Sequence, residues 1–538
     1  MNLDKLRKQK YLYMRKKFFL TLIESKYLFY FVLLINIILL FFTKFYPSMD
    51  GPAHLYNSNI LLHLLKGNNV LSEFYSINSL YIPNWTSHFI LLIFNSFLPS
   101  WVAEKILLII YVSGMALSFR YLIKVLNPKN ISLSILIFPF IYSFLFHLGF
   151  YNFSLSFILF FVTLGYWLQS FNSKNTYKYF ILFFLITITY FTSIVIFGFL
   201  GLTIGSFILY FSYKKYLEDK NFVRAIQFCG QRLLILLIVS LPSLIFLILF
   251  FKNVQFFPSD AAYSVEELIK WINDARPFIV YNYVGDEIIT EQFFHVLLLL
   301  LAFSFTLKNK NKENYNYIEK ANILAIPLLI SILFYFLTPN GSSAGMMSDR
   351  YCLILYILGI VWIVSRSVET KFNNIIILIV LILHFGLLFK HLNGTIRKLD
   401  ANAITINKVD EYISENSVVL PVNLSDNWLE PHFSNYLGVE KPMIILENCE
   451  ADVGWFPIKW NSENIPNIML GDKNSISGIS WINNTKSKST KQIDYILLYG
   501  NQSKIDDSKW SELKEQLSKG FKLKYKSENN YVMLYEKF

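Results

Sequence analysis

The chain has 538 residues, of which 54% are hydrophobic, 18% aromatic and only 16% charged, with a net charge of +12. Soluble proteins carry about 25% charged residues, and apolar runs such as 27–42 and 233–251 approach the ~20 residues that cross a bilayer core as a helix. A water-soluble enzyme is excluded, and uninterrupted runs exclude the alternating pattern of a β-barrel. Lys+Arg number 49 against 37 Asp+Glu, and the excess gathers in short loops between apolar runs. It therefore points to membrane topology and not to nucleic acid. Cys229, Cys352 and Cys449 lie far apart, so neither a disulfide framework nor a zinc motif is indicated.

In chain order, residues 1–26 form a basic cytoplasmic arm, followed by a run too long for a cleaved signal. Apolar runs near 27–45, 103–123, 131–147, 150–170, 179–192, 194–213, 233–251, 292–307, 321–338, 351–365 and 373–391 predict about eleven spans in a membrane domain over 27–392. The basic loops 124–130, 172–178, 214–232, 308–320 and 365–371 belong in the cytoplasm. That leaves loops 46–102, 252–290 and 339–350 outside, together with everything after 392. The stretch 85–98 is too short to span and would invert this parity, so it is read as a helix lying in the outer leaflet. Residues 262–275 read as an amphipathic helix whose charges form a solvated face.

From 393 the composition is that of a soluble domain. Strands are expected at 418–422, 443–447 and 495–499, a helix at 506–520, and a closing hairpin turning at Glu528-Asn529-Asn530. The fold class is thus a mainly α polytopic membrane protein with an extracytoplasmic α/β domain over 393–538. No glycine-rich phosphate loop follows any strand, so no nucleotide site is supported.

Candidate chemistry lies in the outer loops. The first begins Met49-Asp50-Gly51-Pro52-Ala53-His54 and runs into an amphipathic helical segment. A helix starting at Asp50 places His54 one turn later on the same face. The bland alternative is that Asp50 is only a helix N-cap. Arg350 follows the Gly/Ser-rich third loop at the outer mouth of a span, where the positive-inside bias disfavours an arginine and a bidentate phosphate clamp would use one. The turn 146–156 carries His147, Tyr151 and Asn152, which could line a polar cavity or cap a helix hairpin.

Taken together, these parts resemble the GT-C membrane glycosyltransferases, in the bacterial branch akin to protein O-mannosyltransferases and lipid A aminoarabinose transferases. The resemblance implies a sugar donor carried on a polyprenyl phosphate and a lipid, glycan or protein acceptor. It places the reaction at the outer face of a bacterial cytoplasmic membrane. It implies the first-loop acid as base, here Asp50, and a phosphate-contacting basic residue, here Arg350, with no cofactor. Many such enzymes carry two adjacent acids in this loop, where this chain has Gly51 after Asp50. Some have a histidine at the outer end of a middle helix, where this chain reads Tyr190-Phe191-Thr192-Ser193, so no metal ligand is assigned. A lipid-linked glycan flippase or a non-catalytic assembly subunit are the rival classes; the near absence of charge inside the spans disfavours a transporter. The stretch 431–460, rich in acids and aromatics, could cap the site or hold acceptor.

Overall fold

The computed structural model describes residues 26–254, 262–306, 312–340, 345–366, 371–466 and 491–538. The arm 1–25 and parts of the loops 252–290, 308–320, 339–350 and 365–371 lie outside the described residues. Among the described residues, eight helices are long and apolar enough to cross a membrane. They are Ser100–Leu126, Tyr151–Ser170, Ile194–Asp219, Phe222–Asn253, Tyr283–Phe305, Glu319–Leu337, Met347–Arg366 and Phe372–Tyr412.

Three of the expected spans are shorter, and their sequences say why. Lys26–Leu39 ends in one 3-10 turn before extended backbone at Thr43. The run 131–147 breaks into the 3-10 segment Pro128–Ile137 and two four-residue helices separated at Tyr142-Ser143; Pro128 and Pro139 remove backbone donors there. Tyr177–Thr192 stops at Ser193, whose hydroxyl caps the next helix by accepting from the Ile196 amide. The stretch 85–98 forms the ten-residue helix Thr86–Asn95, about half a bilayer core in length. The second loop's helix is Val265–Asn273, opened by a capping box between Ser264 and Glu267. Phe222–Asn253 leaves Leu234, Leu237, Ile245 and Ile248 exposed, the surface of a helix whose solvent is lipid.

The C-terminal domain holds a five-stranded mixed sheet in the order β3-β2-β5-β7-β6. Its strands are β2 (Val418–Leu424), β3 (Ile444–Ile445), β5 (Tyr495–Gly500), β6 (Phe521–Lys526) and β7 (Val532–Lys537). The two central strands are parallel to each other and buried along nearly their whole length, as parallel strands require. The hairpin of β6 and β7 closes the sheet as expected, with Asn530 at positive φ in its turn. The expected strand 443–447 shrinks to two residues, and the helix expected over 506–520 begins only at Ser511.

A second, two-stranded sheet joins the halves of the protein. Within the first loop, β1 (Tyr75–Ile77) pairs antiparallel with β4 (Ile458–Trp460), and Tyr75 stacks on Trp460 at 4.3 Å. The helix Gly51–Leu65, expected to be amphipathic, is buried without interruption from Gly51 to Leu61. Its polar residues serve the domain above it: the Tyr56 hydroxyl donates to the Met443 carbonyl, and Asn59 donates to that of Gly438. The first loop is thus the floor on which the C-terminal domain sits.

Candidate functional site

Asp50 occupies the N-cap position of Gly51–Leu65, but its side chain makes no capping hydrogen bond. The capping explanation therefore does not account for the residue. Its backbone is fixed instead: the Asp50 amide donates to the Leu148 carbonyl and the Gly51 amide to the Ser48 hydroxyl. The aromatic-glycine turn that supplies Leu148 approaches so closely that Gly149, at φ +88°, has room for no side chain; a Cβ there would stand 2.6 Å from the Gly51 nitrogen.

Asp50 and Arg350 line one cavity of about 230 Å³, together with His54, Tyr151 and Asn152. Arg350 reaches it from the start of Met347–Arg366. Its guanidinium lies over the rings of Phe150 and Phe153, at 4.6 and 5.1 Å, and Nε donates to the Gly345 carbonyl. Tyr151 stacks on His54 at 5.3 Å, and its hydroxyl lies 3.2 Å from that of Ser48. Asn152 spends its amide on architecture, accepting from the Ser87 amide and donating to the Asn84 carbonyl. It thereby ties the Thr86–Asn95 helix to the turn.

His147 is not brought to this cavity. It is fully buried elsewhere, with Nδ1 within hydrogen-bonding distance of the hydroxyls of Tyr46 (3.2 Å) and Tyr281 (2.9 Å) and its ring beside His391. The turn bends between His147 and Tyr151, so residues adjacent in sequence face different parts of the protein.

Burial pushes the Asp50 carboxyl up to about 6, against the opposing pull of His432 and His54. His432, from the C-terminal domain, stands 3.8 Å away through Nε2. Burial disfavours charge on His432, but Cys449 and Glu447 outweigh it and raise the imidazole well above its ordinary value.

Gly51 explains why a second acid does not follow Asp50. A Cβ at this position would meet the Ser48 hydroxyl at 2.2 Å and the Tyr151 hydroxyl at 2.7 Å. Gly51→Asp, which would create an adjacent acidic pair, should destabilise the protein by about 1–3 kcal/mol, because the added side chain must displace Ser48 and Tyr151. The midpoint of thermal unfolding checks this, and an unchanged midpoint would refute it.

The sequence reading missed His88 and Glu450. His54 Nδ1 and His88 Nε2 each lie 2.7 Å from a carboxylate oxygen of Glu450, and 3.3 Å from each other. All three residues are buried. The Gly149 carbonyl can only accept, so His54 Nε2, at 2.9 Å, must carry a proton. In a neutral imidazole, Nδ1 then aims a lone pair at Glu450, whose Oε1 is not aligned as a hydrogen-bond acceptor despite the short approach. The arrangement needs a positive charge, either a second proton on His54 or a divalent cation among the three donors. Two imidazoles and a carboxylate fit zinc, and the Gly149 carbonyl plays the outer partner that ligating histidines have. The signal was divided among three distant segments, one of them within 431–460, which also supplies Cys449, Val453, Trp455 and Phe456 to the cavity wall.

An apolar groove of about 1010 Å³ runs between Ile194–Asp219 and Phe222–Asn253 and shares Ile194 and Val195 with the cavity that Asp50 lines. The cavity sits where Tyr151–Ser170, Ile194–Asp219 and Met347–Arg366 begin or end on the side of the C-terminal domain. Lys124, Lys214 and Lys215 gather round a second cavity at the opposite helix ends.

No known protein family matches the sequence, and no curated protein does. Among solved structures, ArnT from Cupriavidus metallidurans in the apo state matches 95% of this chain and 98% of its own, with TM-score 0.53 and 9% identity. The same protein bound to undecaprenyl phosphate matches 94% and 97%, with TM-score 0.51 and again 9% identity. At such identity the likeness is one of fold, and it covers both the membrane body and the C-terminal domain. The chain therefore has the fold seen in ArnT along nearly its whole length.

Proposed function

We propose that the protein transfers a sugar from a polyprenyl-phosphate-linked donor to an acceptor hydroxyl, at the outer face of a bacterial cytoplasmic membrane. The observation that carries this reading is that Asp50 and Arg350, 300 positions apart in the sequence, bring opposite charges to one cavity that adjoins an apolar groove. A lipid-linked sugar has the same two parts, a polar head and a long apolar tail, and the similar fold of ArnT is known with undecaprenyl phosphate bound. The lysine-bearing helix ends opposite the cavity would face the cytoplasm, leaving the cavity and the C-terminal domain outside.

The chemistry asks for two groups. Asp50 takes the proton of the acceptor hydroxyl as its oxygen bonds to the anomeric carbon. The bond from that carbon to the phosphate oxygen breaks, and the electron pair leaves on the phosphate, where Arg350 offsets the developing charge. His54 and Tyr151 form the wall beside the base, while Asn152 holds that wall in place. A divalent cation held by His54, His88 and Glu450 would supply fixed positive charge beside the cavity.

Incubation of purified protein with a polyprenyl-phosphate-linked sugar and membrane acceptors tests the reading. Release of free polyprenyl phosphate with labelled acceptor is expected; movement of intact donor across the bilayer without release would show a flippase instead. Arg350→Ala should weaken donor use by about 10- to 100-fold, the worth of one charge-assisted hydrogen bond to phosphate. Donor titration checks this, and an unchanged donor KM would remove Arg350 from the phosphate site.

A further inference from the structure

Among the described residues, His432 is the one ion-pair partner that the Asp50 carboxylate has within 4 Å. It is not a loose surface histidine. Nδ1 is held at 2.7 Å by Glu447 Oε1, and Glu447 is 3% exposed. The other Glu447 oxygen accepts from the Asn435 amide at 2.7 Å and from the Ser434 hydroxyl at 3.2 Å. With Nδ1 engaged and the carboxylate behind it anchored, the ring has one orientation, and that orientation presents Nε2 to Asp50.

The backbone fixes this alignment as firmly as the side chains do. His432 immediately precedes the 3-10 turn Phe433–Gly438, which packs on the Gly51–Leu65 helix. Gly438 lies so close to Tyr56 that a Cβ would stand 2.4 Å from its ring. Asp50 is the N-cap of that same helix, so the base and the histidine are referred to one rigid element. Asp50, in contrast, has no capping bond to hold its carboxylate rotamer. A separation of 3.8 Å exceeds a hydrogen bond, but such contacts tighten when substrate closes a site.

We propose that His432, oriented by Glu447, is a positioning residue that holds the Asp50 carboxylate towards the acceptor hydroxyl, so that the C-terminal domain completes the catalytic base. This rests on Asp50 acting as base. The proton still moves from the acceptor hydroxyl to Asp50; His432 orients the carboxylate through Nε2–H and takes no part in bond making.

The test uses the full-length protein in membranes, with a labelled polyprenyl-phosphate-linked sugar as donor. His432→Ala should lower kcat by about 10- to 100-fold with little change in donor KM. His432→Gln, which can place an amide donor near the position of Nε2, should recover much of the loss. In an Asp50→Asn background His432→Ala should cost nothing further, because the carboxylate to be positioned is gone. Glu447→Gln should act in the same direction as His432→Ala. A His432→Ala protein with wild-type kcat would overturn the proposal. So would a loss that multiplies with that of Asp50→Asn, or one that appears equally in KM and melting temperature and is not recovered by Gln. Full activity in Asp50→Asn itself would instead sink the proposed base, a different and separable failure.

Discussion

Asp50→Asn should lower sugar transfer by about 10²–10⁴-fold, the contribution of a positioned general base, while leaving the protein folded. The substitution is nearly isosteric and removes only the charge. Because the carboxylate caps nothing, no helix cap is lost with it, and the contact to His432 is a long one at 3.8 Å. Burial already works against ionisation here and holds the group near pH 6. A base must be deprotonated to act, so wild-type activity should be present above about pH 6 and fall as pH drops through it. Initial rates in membranes between pH 5 and 8, compared with rates for Asp50→Asn, check both statements. Undiminished transfer by the variant would remove Asp50 from the chemistry.

Glu450→Gln should have the largest effect on the architecture. The residue is 2% exposed and holds two buried imidazoles that belong to the first loop, while its own backbone belongs to the C-terminal domain. Removing one partner of a buried ion pair costs about 3–5 kcal/mol, less whatever His54 recovers by shedding a proton. The expected result is easier proteolytic release of the C-terminal domain and a lower melting temperature. If a divalent cation binds there, elemental analysis should find about one per chain in the wild type and far less in the variant.

The two sources of positive charge part company with pH. Burial works against charge on His54, yet Glu450 outweighs it and raises the imidazole. A group so raised contributes stability below its ordinary value and loses it as pH rises through the folded one. Without metal, docking should therefore loosen as the solution becomes alkaline. With metal it should tighten, since ligands bind deprotonated. Proteolysis across that pH range, with and without a chelator, distinguishes them.

The membrane body was legible in the sequence because a long apolar helix announces itself through composition alone. Eight of the eleven predicted runs fall in helices long and apolar enough to span, the other three are shorter or broken, and the odd stretch 85–98 holds a short helix. What periodicity could not show was interruption: Pro128, Pro139 and the break at Tyr142-Ser143 leave 131–147 apolar but not continuous. Asp50 and Arg350 stood out because each is a charge at the mouth of a span. Asn152 stood out for its position, yet its amide is consumed in joining two backbones. His147 shared that position and turned inward. Glu450, His88 and His432 were invisible for a different reason: each is ordinary in its own segment and acquires meaning only when segments far apart in the chain meet.

That meeting has a consequence for how the protein is made. His88 and Glu450 are 362 residues apart; at ~5–20 residues per second the ribosome needs roughly 20–70 s to pass from one to the other. At the start of that interval Asp50, His54 and His88 have been made, yet Glu450 and the wall that residues 449–456 give the cavity do not exist. β1 waits as an unpaired edge for β4. The cavity is thus closed only when the C-terminal segment folds back, and a chain that ends before residue 449 has the membrane helices without a finished site.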